Sequence, residues 1–155
     1  MIIDLTIQKA NALDVPEIYA LIKDLAIYEK EPQEPSNPYD IFLQEGTGSN
    51  PHFHVLVAKN EDKVIGIALY YYGYSTWKGR MLYLDDLVVS LPYRRHGIGR
   101  LLMNALLQEA RDAKVNQVRW HVLDWNEPAI ALYNTMNVSL DASWITVKVE
   151  KEMLY

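Results

Sequence analysis

The sequence predicts an α/β fold with a mixed sheet built around a central βαβ unit. Two observations carry that prediction. Runs with two-residue alternation and runs with helical periodicity follow one another along the chain in the order β-α-α-β-β-β-α-β-α-β. In its middle, a strand-like run (Met81 to Val89), a glycine-containing turn, an amphipathic helix (Ile98 to about Ala113) and a further strand-like run (Asn116 to Leu123) read as a crossover between parallel neighbours.

Taken in order, Ile3, Leu5 and Ile7 alternate with Asp4, Thr6 and Gln8, as in a half-buried first strand. Asp14 is placed to cap a helix, with Glu17 as its capping-box partner and Pro16 tolerated in the first turn. Val15, Ile18, Leu21, Ile22 and Leu25 form its buried stripe. Lys30 to Pro38 carries three prolines and cannot continue it. Asn37 and Pro38 restart a short helix through Glu45, stopped at Gly46. Pro51 to Lys59 and Lys63 to Tyr74 are strands of a hairpin around Asn60-Glu61-Asp62, with Tyr70, Tyr71, Tyr72, Tyr74 and Trp77 crowding its second strand and the turn beyond as sheet packing. Asn126 caps a helix with Pro128 in its first turn, running to Met136, with Asn137 as a left-handed exit. Trp144 to Glu150 alternates as a last strand.

At 155 residues the chain is expected to be one domain, 1–155, long enough to bury a sizeable core. Half of the residues are apolar and 23% are charged, the balance of an ordinary globular protein. A formal net charge of −5 argues against nucleic acid as a partner and suits a cationic one. With no cysteine, a disulfide frame, a thiolate metal site and a cysteine nucleophile are excluded. The first residues, MIIDLTIQKA, lack the pattern of a leader, and no apolar run reaches membrane-spanning length, so a cytoplasmic location without membrane attachment is the expectation. His52, His54, His96 and His121 show no metal-ligand spacing beyond His52-x-His54, and no metal is assigned.

The turn after Val89 is the first candidate site. A strand, a glycine loop and a helix start make an anion site, because the first helical amides lack internal partners and the helix dipole favours negative charge there. Gly97-Ile98-Gly99-Arg100-Leu101-Leu102 puts leucine where a dinucleotide fingerprint needs a small third residue, and a Walker loop would need lysine directly after its second glycine. What remains is Arg94-x-x-Gly97-x-Gly99, or a glycine-eased turn with surface arginines.

Arg94-x-x-Gly97-x-Gly99 resembles the RxxGxG/A pyrophosphate loop of the GNAT superfamily of N-acetyltransferases. The segments YYYGYSTWKGRMLYLDDLVV, PYRRHGIG, DWNEPAIALY and LIKDLAIYE, in consistent order over nearly the whole chain, are similar to those of the spermidine/spermine (diamine) N-acetyltransferases and their thialysine acetyltransferase relatives. That resemblance implies a twisted, mostly antiparallel sheet with helices on both faces, acetyl-CoA as cosubstrate, a small amine as acceptor and a homodimer. It implies that Arg94, Arg95, His96, Gly97, Ile98, Gly99 and Arg100 wrap the pyrophosphate, that the main chain of Leu87, Val88 and Val89 meets the pantetheine arm, and that Asn126, Pro128, Ala129 and Met136 add cofactor contacts. Arg95 stands where the relatives commonly have glycine.

Amine acetylation needs a group to take a proton from the ammonium, whose ordinary pKa is about 10, and an acid for the departing thiolate. By resemblance the acid is Tyr133 and the base is Asp85, through water, where the family has a glutamate. Asp85 and Asp86 stand together in an apolar strand, and barring a bulge only one can point into a given cleft. Asp86 reads equally well as a structural acid answering Arg80, Arg119 or Lys148. The family's substrate positions fall on Tyr28, Glu29, Trp77, Asp85 and His121. Ser75 replaces an acid of the polyamine-specific relatives, which makes a short diamine or thialysine plausible beside a long polyamine. Two other readings stay open: acetylation of protein or peptide amines, and a coenzyme-binding dimer without catalysis.

Overall fold

Alternation fixes the first strand, β1 (Leu5–Lys9), in the computed structural model, which describes residues 4–154; Ile3 lies outside them. The chain divides into two compact units, one ending at His121 and one starting at Val122. In the first unit β1 is followed by α1 (Val15–Tyr28), α2 (Tyr39–Gly46), β2 (His54–Asn60), β3 (Lys63–Ser75), β4 (Gly79–Val89), α3 (Ile98–Asp112) and β5 (Gln117–Arg119). The strands lie in the order β1-β2-β3-β4-β5; pairing is antiparallel as far as β4, and β4 and β5 are parallel, with α3 as the crossover between them. The mixed, mostly antiparallel sheet with a βαβ unit is therefore as expected.

Side-chain alternation divides the sheet into two buried faces. Val55, Val57, Val64, Ile67, Leu69 and Val88 pack with Val15, Ile18, Tyr19 and Leu21 of α1 and Phe42 of α2. On the other side α3 buries Ile98, Leu102, Met103 and Leu106. Gly66 admits that helix: a Cβ there would stand 3.2 Å from Leu102 Cδ1 and 3.0 Å from the Val88 carbonyl oxygen. Tyr70 and Tyr72 also belong to the α3 side, where the Tyr72 hydroxyl donates to Glu109 Oε1 at 3.2 Å and Lys9 Nζ donates to the same oxygen at 2.9 Å. Tyr71 faces the other way and stacks on Tyr83, with centroids 5.1 Å apart. Tyr70, Tyr71 and Tyr72 are thus shared between both faces as packing, whereas Tyr74 and Trp77 are exposed and pack on neither face.

Several local expectations are corrected. Asp14 does not cap α1 with its side chain. Asn11 caps a 3-10 turn over Ala12–Asp14, and Asp14 closes that capping box by accepting from the Asn11 amide at 2.9 Å. Asp14 is buried because it also meets Lys59 at 2.6 Å, and Glu17, freed from capping, accepts from the Val64 amide at 3.1 Å. A long-range ion pair has outcompeted the local cap. β5 is shorter than Asn116 to Leu123, since pairing with β4 covers only Met81–Tyr83 against Gln117–Arg119.

In the second unit α4 spans Glu127–Asn134, and its exit is Thr135 at φ −89°, so Asn137 does not supply a left-handed turn. Trp144 to Glu150 forms no strand: Trp144, Ile145 and Val147 are exposed, and a 3-10 turn follows at Lys151–Met153. Alternation marks a face but supplies no hydrogen-bonding neighbour.

Two substitutions test this packing. Asp14→Ala strands the Lys59 ammonium and is expected to cost about 3 kcal/mol, read as a lowered urea midpoint with an unchanged slope. Gly79→Ala forces a Cβ onto a residue at φ +88° and to within 2.8 Å of Asn116 Nδ2. A loss of about 1–3 kcal/mol is expected by the same measurement.

Candidate functional site

β4 ends at Val89, and the chain passes through Ser90 and a 3-10 turn, Leu91–Tyr93, to the arginines. Arg94 is extended; its Nε donates to the Val89 carbonyl at 2.9 Å and its guanidinium lies 4.9 Å over the Tyr28 ring. It therefore braces the loop to the strand and to the end of α1. Arg95 takes φ +66°, a left-handed conformation that glycine adopts without strain. A glycine at this position in the relatives would serve that turn. Gly97 follows at φ +78° as the N-cap of α3, and a Cβ there would meet nothing within 4 Å. No side chain caps α3, and no acid sits in its first turn.

The first amides of this helix thus have no capping side chain and lie at the positive end of its dipole, while Arg95 and Arg100 are exposed beside them. An anion of diphosphate type fits that donor set. The main chain of β4 offers a second opening. Leu87, Val88 and Val89 pair on one edge with Ala68, Ile67 and Gly66, whereas the β5 ladder stops at Tyr83. Beyond Tyr83 the other edge of β4 has no strand partner among the described residues.

Between these two features lies a β-bulge. Leu69 pairs with Asp86 and Tyr70 with Leu84, so Asp85 has no partner on β3. The extra residue breaks the alternation that would have sent two adjacent carboxylates to opposite faces. Asp86 takes the Leu69 side, which is the α1 side, and Asp85 lies exposed in the bulge. Both interact electrostatically with Glu29, which ends α1.

This arrangement shifts all three acids. Partial burial, then Asp85 and Glu29, push Asp86 up to about 7. Desolvation raises Asp85, with His121 pulling partly the other way, and desolvation followed by Asp85 raises Glu29. Among the described residues none of the three forms an ion pair with a lysine or arginine, and no group of His, Asp and Glu is placed to hold a metal ion. Tyr83 lines the same side, hydrogen-bonded to His121 and stacked on Tyr71.

Glu29, Asp85 and His121 therefore interact at the bulge, with Tyr28 next to Glu29 at the end of α1. Trp77 lies apart: it is 84% exposed in the β3–β4 turn, next to Gly79, about 20 Å along β4 from Asp85 at strand rise. There Ser75 Oγ accepts from the Trp77 and Lys78 amides at 3.3 and 3.2 Å, closing the turn. Asp86, Tyr71 and Tyr83 were not among the residues the sequence singled out for the site. The consecutive acids were the visible signal for Asp86, and the bulge that gives them one side was not visible.

In the second unit, Asn126 Oδ1 accepts from the Ala129 amide at 3.4 Å, with Pro128 in the first turn of α4. Tyr133 and Met136 are buried, and burial pushes the Tyr133 phenol up to about 12. That phenol stays protonated at neutral pH and so keeps a proton it can donate in a hydrogen bond or as an acid. Among the described residues no helix is long and apolar enough to cross a membrane.

Comparison with known proteins adds an independent line. Residues 16–137 match the Acetyltransferase (GNAT) family. The chain is 34% identical over 159 aligned residues to a thialysine N-epsilon-acetyltransferase of Sus scrofa, covering 96% of this chain and 94% of that one. It is 38% identical over 138 residues to a thialysine N-epsilon-acetyltransferase of Bos taurus, covering 84% and 81%. The solved structure of an aminoglycoside acetyltransferase from an uncultured soil metagenomic sample shares the fold at a TM-score of 0.78 and 19% identity, over 94% of this chain and 95% of that one. An open helix start after an unpaired strand edge, and a family match over most of the chain, agree: this chain belongs to the acetyltransferase (GNAT) family and is an acetyl-CoA-dependent N-acetyltransferase.

Proposed function

We propose that this enzyme moves an acetyl group from acetyl-CoA directly to the primary amine of a small cationic metabolite, a diamine, polyamine or thialysine-like compound. The observation that carries the choice of acceptor is the gathering of Glu29, Asp85 and Asp86 at the bulge with no lysine or arginine ion pair among the described residues. A cationic guest would supply the missing charge. The thialysine acetyltransferases among the relatives support an acceptor of that size.

When bound, acetyl-CoA supplies the acetyl group as a thioester. The amides of Ile98 and Gly99, the loop at Arg95, His96 and Gly97, and Arg100 would hold its diphosphate, while Arg94 keeps the loop in shape. The free edge of Leu87, Val88 and Val89 would hold the pantetheine arm, with Asn126, Pro128, Ala129 and Met136 as further contacts. Tyr28, Glu29 and His121 would orient the amine, and Trp77 would act on it only through the hairpin tip. Asp85, exposed in the bulge, accepts through a water the proton that the ammonium must lose before its nitrogen can form the amide bond. Tyr133 would supply the proton that the departing thiolate takes up. We also take the enzyme to work as a homodimer in the cytoplasm, which the family resemblance and the lack of cysteine support.

Release of free coenzyme thiol with a panel of thialysine, 1,4-diaminobutane, spermidine, spermine and lysine peptides tests the reading. The small amines are expected to turn over. Thialysine or the diamine should exceed spermine in kcat/KM by about fivefold, the equivalent of the roughly 1 kcal/mol that one carboxylate–ammonium contact supplies. Silence with all small amines, or turnover of peptides alone, overturns it. Tyr133→Phe is expected to lower kcat by about 10²–10⁴-fold with an unchanged thermal melt; a loss below tenfold removes Tyr133 from the role of acid.

A further inference from the structure

β5 brings a cation to the acidic face of the sheet. Arg119 is the neighbour of Tyr83 in the parallel ladder, and Tyr83 is the neighbour of Tyr71 in the antiparallel one, so the three side chains share the α1 side. His121 stands on that side too, hydrogen-bonded to the Tyr83 hydroxyl. Arg80 acts on Tyr72 on the opposite face, and Arg94 lies beyond the acids with its Nε on the Val89 carbonyl. Asp86, for which the sequence offered Arg80, Arg119 or Lys148 as a partner, forms an ion pair with none of them among the described residues. Arg119 is exposed, and its Nη2 donates to Gln117 Oε1 at 3.3 Å, a neutral contact that leaves its charge without an acid within ion-pair distance among the described residues.

The order of groups along β4 gives that charge a use. The open main-chain edge at Leu87, Val88 and Val89 is followed by Asp86 and Asp85 at the bulge, and then by Tyr83 with Arg119 at its side. At a rise of about 3.3 Å per residue, Asp86 and Tyr83 are roughly 10 Å apart along the strand. A lysine-length acceptor spans roughly 7 Å from its terminal nitrogen to its carboxyl carbon, and the arginine stem covers the rest. With its nitrogen among the acids, such an acceptor lays its chain along the stacked Tyr71 and Tyr83 rings, 5.1 Å apart, and brings its far end to Arg119. The Tyr83 phenol interacts electrostatically with both Asp85 and Arg119, as a ring between the two poles does. A carboxylate at the far end meets a planar fork of donors that can hold it in a bidentate pair. The second ammonium of a diamine meets repulsion at the same place.

We propose that Arg119 is the specificity-determining residue of the acceptor site: its guanidinium pairs with the α-carboxylate of an ω-amino acid whose terminal amine is acetylated, which selects a thialysine-type acceptor over a diamine or a polyamine. Gln117 Oε1, beside Arg119, is an acceptor for the α-ammonium of the same molecule. Arg119 holds the end of the acceptor away from the reacting atoms and takes no part in bond making. This rests on the reading of the enzyme as a small-amine acetyltransferase and chooses among the acceptors it allows.

The test compares thialysine with bis(2-aminoethyl) sulfide, the same molecule with hydrogen in place of the carboxylate, using the full chain and acetyl-CoA. Wild type is expected to favour thialysine by about tenfold in kcat/KM, with the difference in KM. In Arg119→Gln that ratio falls to about one through a raised KM for thialysine, and Arg119→Lys, which keeps the charge without the fork, restores part of it. A purely structural role lowers both acceptors together and leaves the ratio standing, which overturns the assignment to Arg119. Equal use of the two acceptors by wild type, or preference for the sulfide, overturns the carboxylate anchor and leaves the small-amine reading standing. So does thialysine amide, in which the carboxylate is neutralised, if it turns over as well as thialysine. That comparison uses the wild-type protein and decides alone should Arg119→Gln fail to fold. Absence of thiol release with either acceptor overturns the small-amine reading and this inference together.

Discussion

Strands β3 and β4 pair from Gly66–Val89 to Ser75–Gly79, and the one interruption in that ladder is Asp85. Without the extra residue, alternation would place one of the two consecutive acids on the α3 side, where Leu84 and Leu87 have neighbours in Tyr70 and Ala68, both fully buried. A carboxylate pressed into that layer would be left without a partner at a cost of several kcal/mol. The bulge removes the conflict by taking Asp85 out of register, and in doing so puts two consecutive acids within reach of Glu29 at the end of α1. The charge density of the site therefore follows from a defect in pairing. It does not come from a loop that could be moved elsewhere.

The anion-binding end is fixed by the opposite face. α3 is anchored by Ile98, Leu102, Met103 and Leu106, all nearly inaccessible, and Ile98 is also the first residue of the helix. The helix start cannot drift without pulling Ile98 from the core. Gly66 lets Leu102 approach the sheet, so the position of the free amides is set by packing against β3. A single sheet thus has its acidic site on the side of α1 and its helix-dipole site held from the side of α3, joined by the few residues of β4 beyond the bulge.

What the sequence makes legible is what depends on one segment at a time. Alternation and helical period located β1 to β4, α1, α2 and α3, and the proline and asparagine signals located the start of α4. The misplaced features all depend on a second segment. Asp14 satisfied every local rule for a cap, but Lys59 lies on β2, and the ion pair decided its role. Trp144 to Glu150 has the pattern of a strand without a neighbour to pair with among the described residues. β5 stops short because its ladder with β4 ends at Tyr83. The bulge is a relation between two registers, so no reading of Leu82 to Val89 alone could reveal it, although the adjacent acids marked the place.

The arginine-glycine motif shows how such a pattern divides its work. Its first arginine reads as a phosphate ligand, and Arg94 also holds the loop against α1, with its Nε on the Val89 carbonyl and its guanidinium over the Tyr28 ring. The glycines differ as well: Gly97 supplies a left-handed turn at φ +78°, while Gly99 lies in the first helical turn, where its missing side chain leaves the backbone approachable. The left-handed conformation at Arg95 costs about 1 kcal/mol or more in a residue with a Cβ. Glycine would make the same turn at lower cost, and the arginine adds a positive charge next to an uncapped, acid-free helix start.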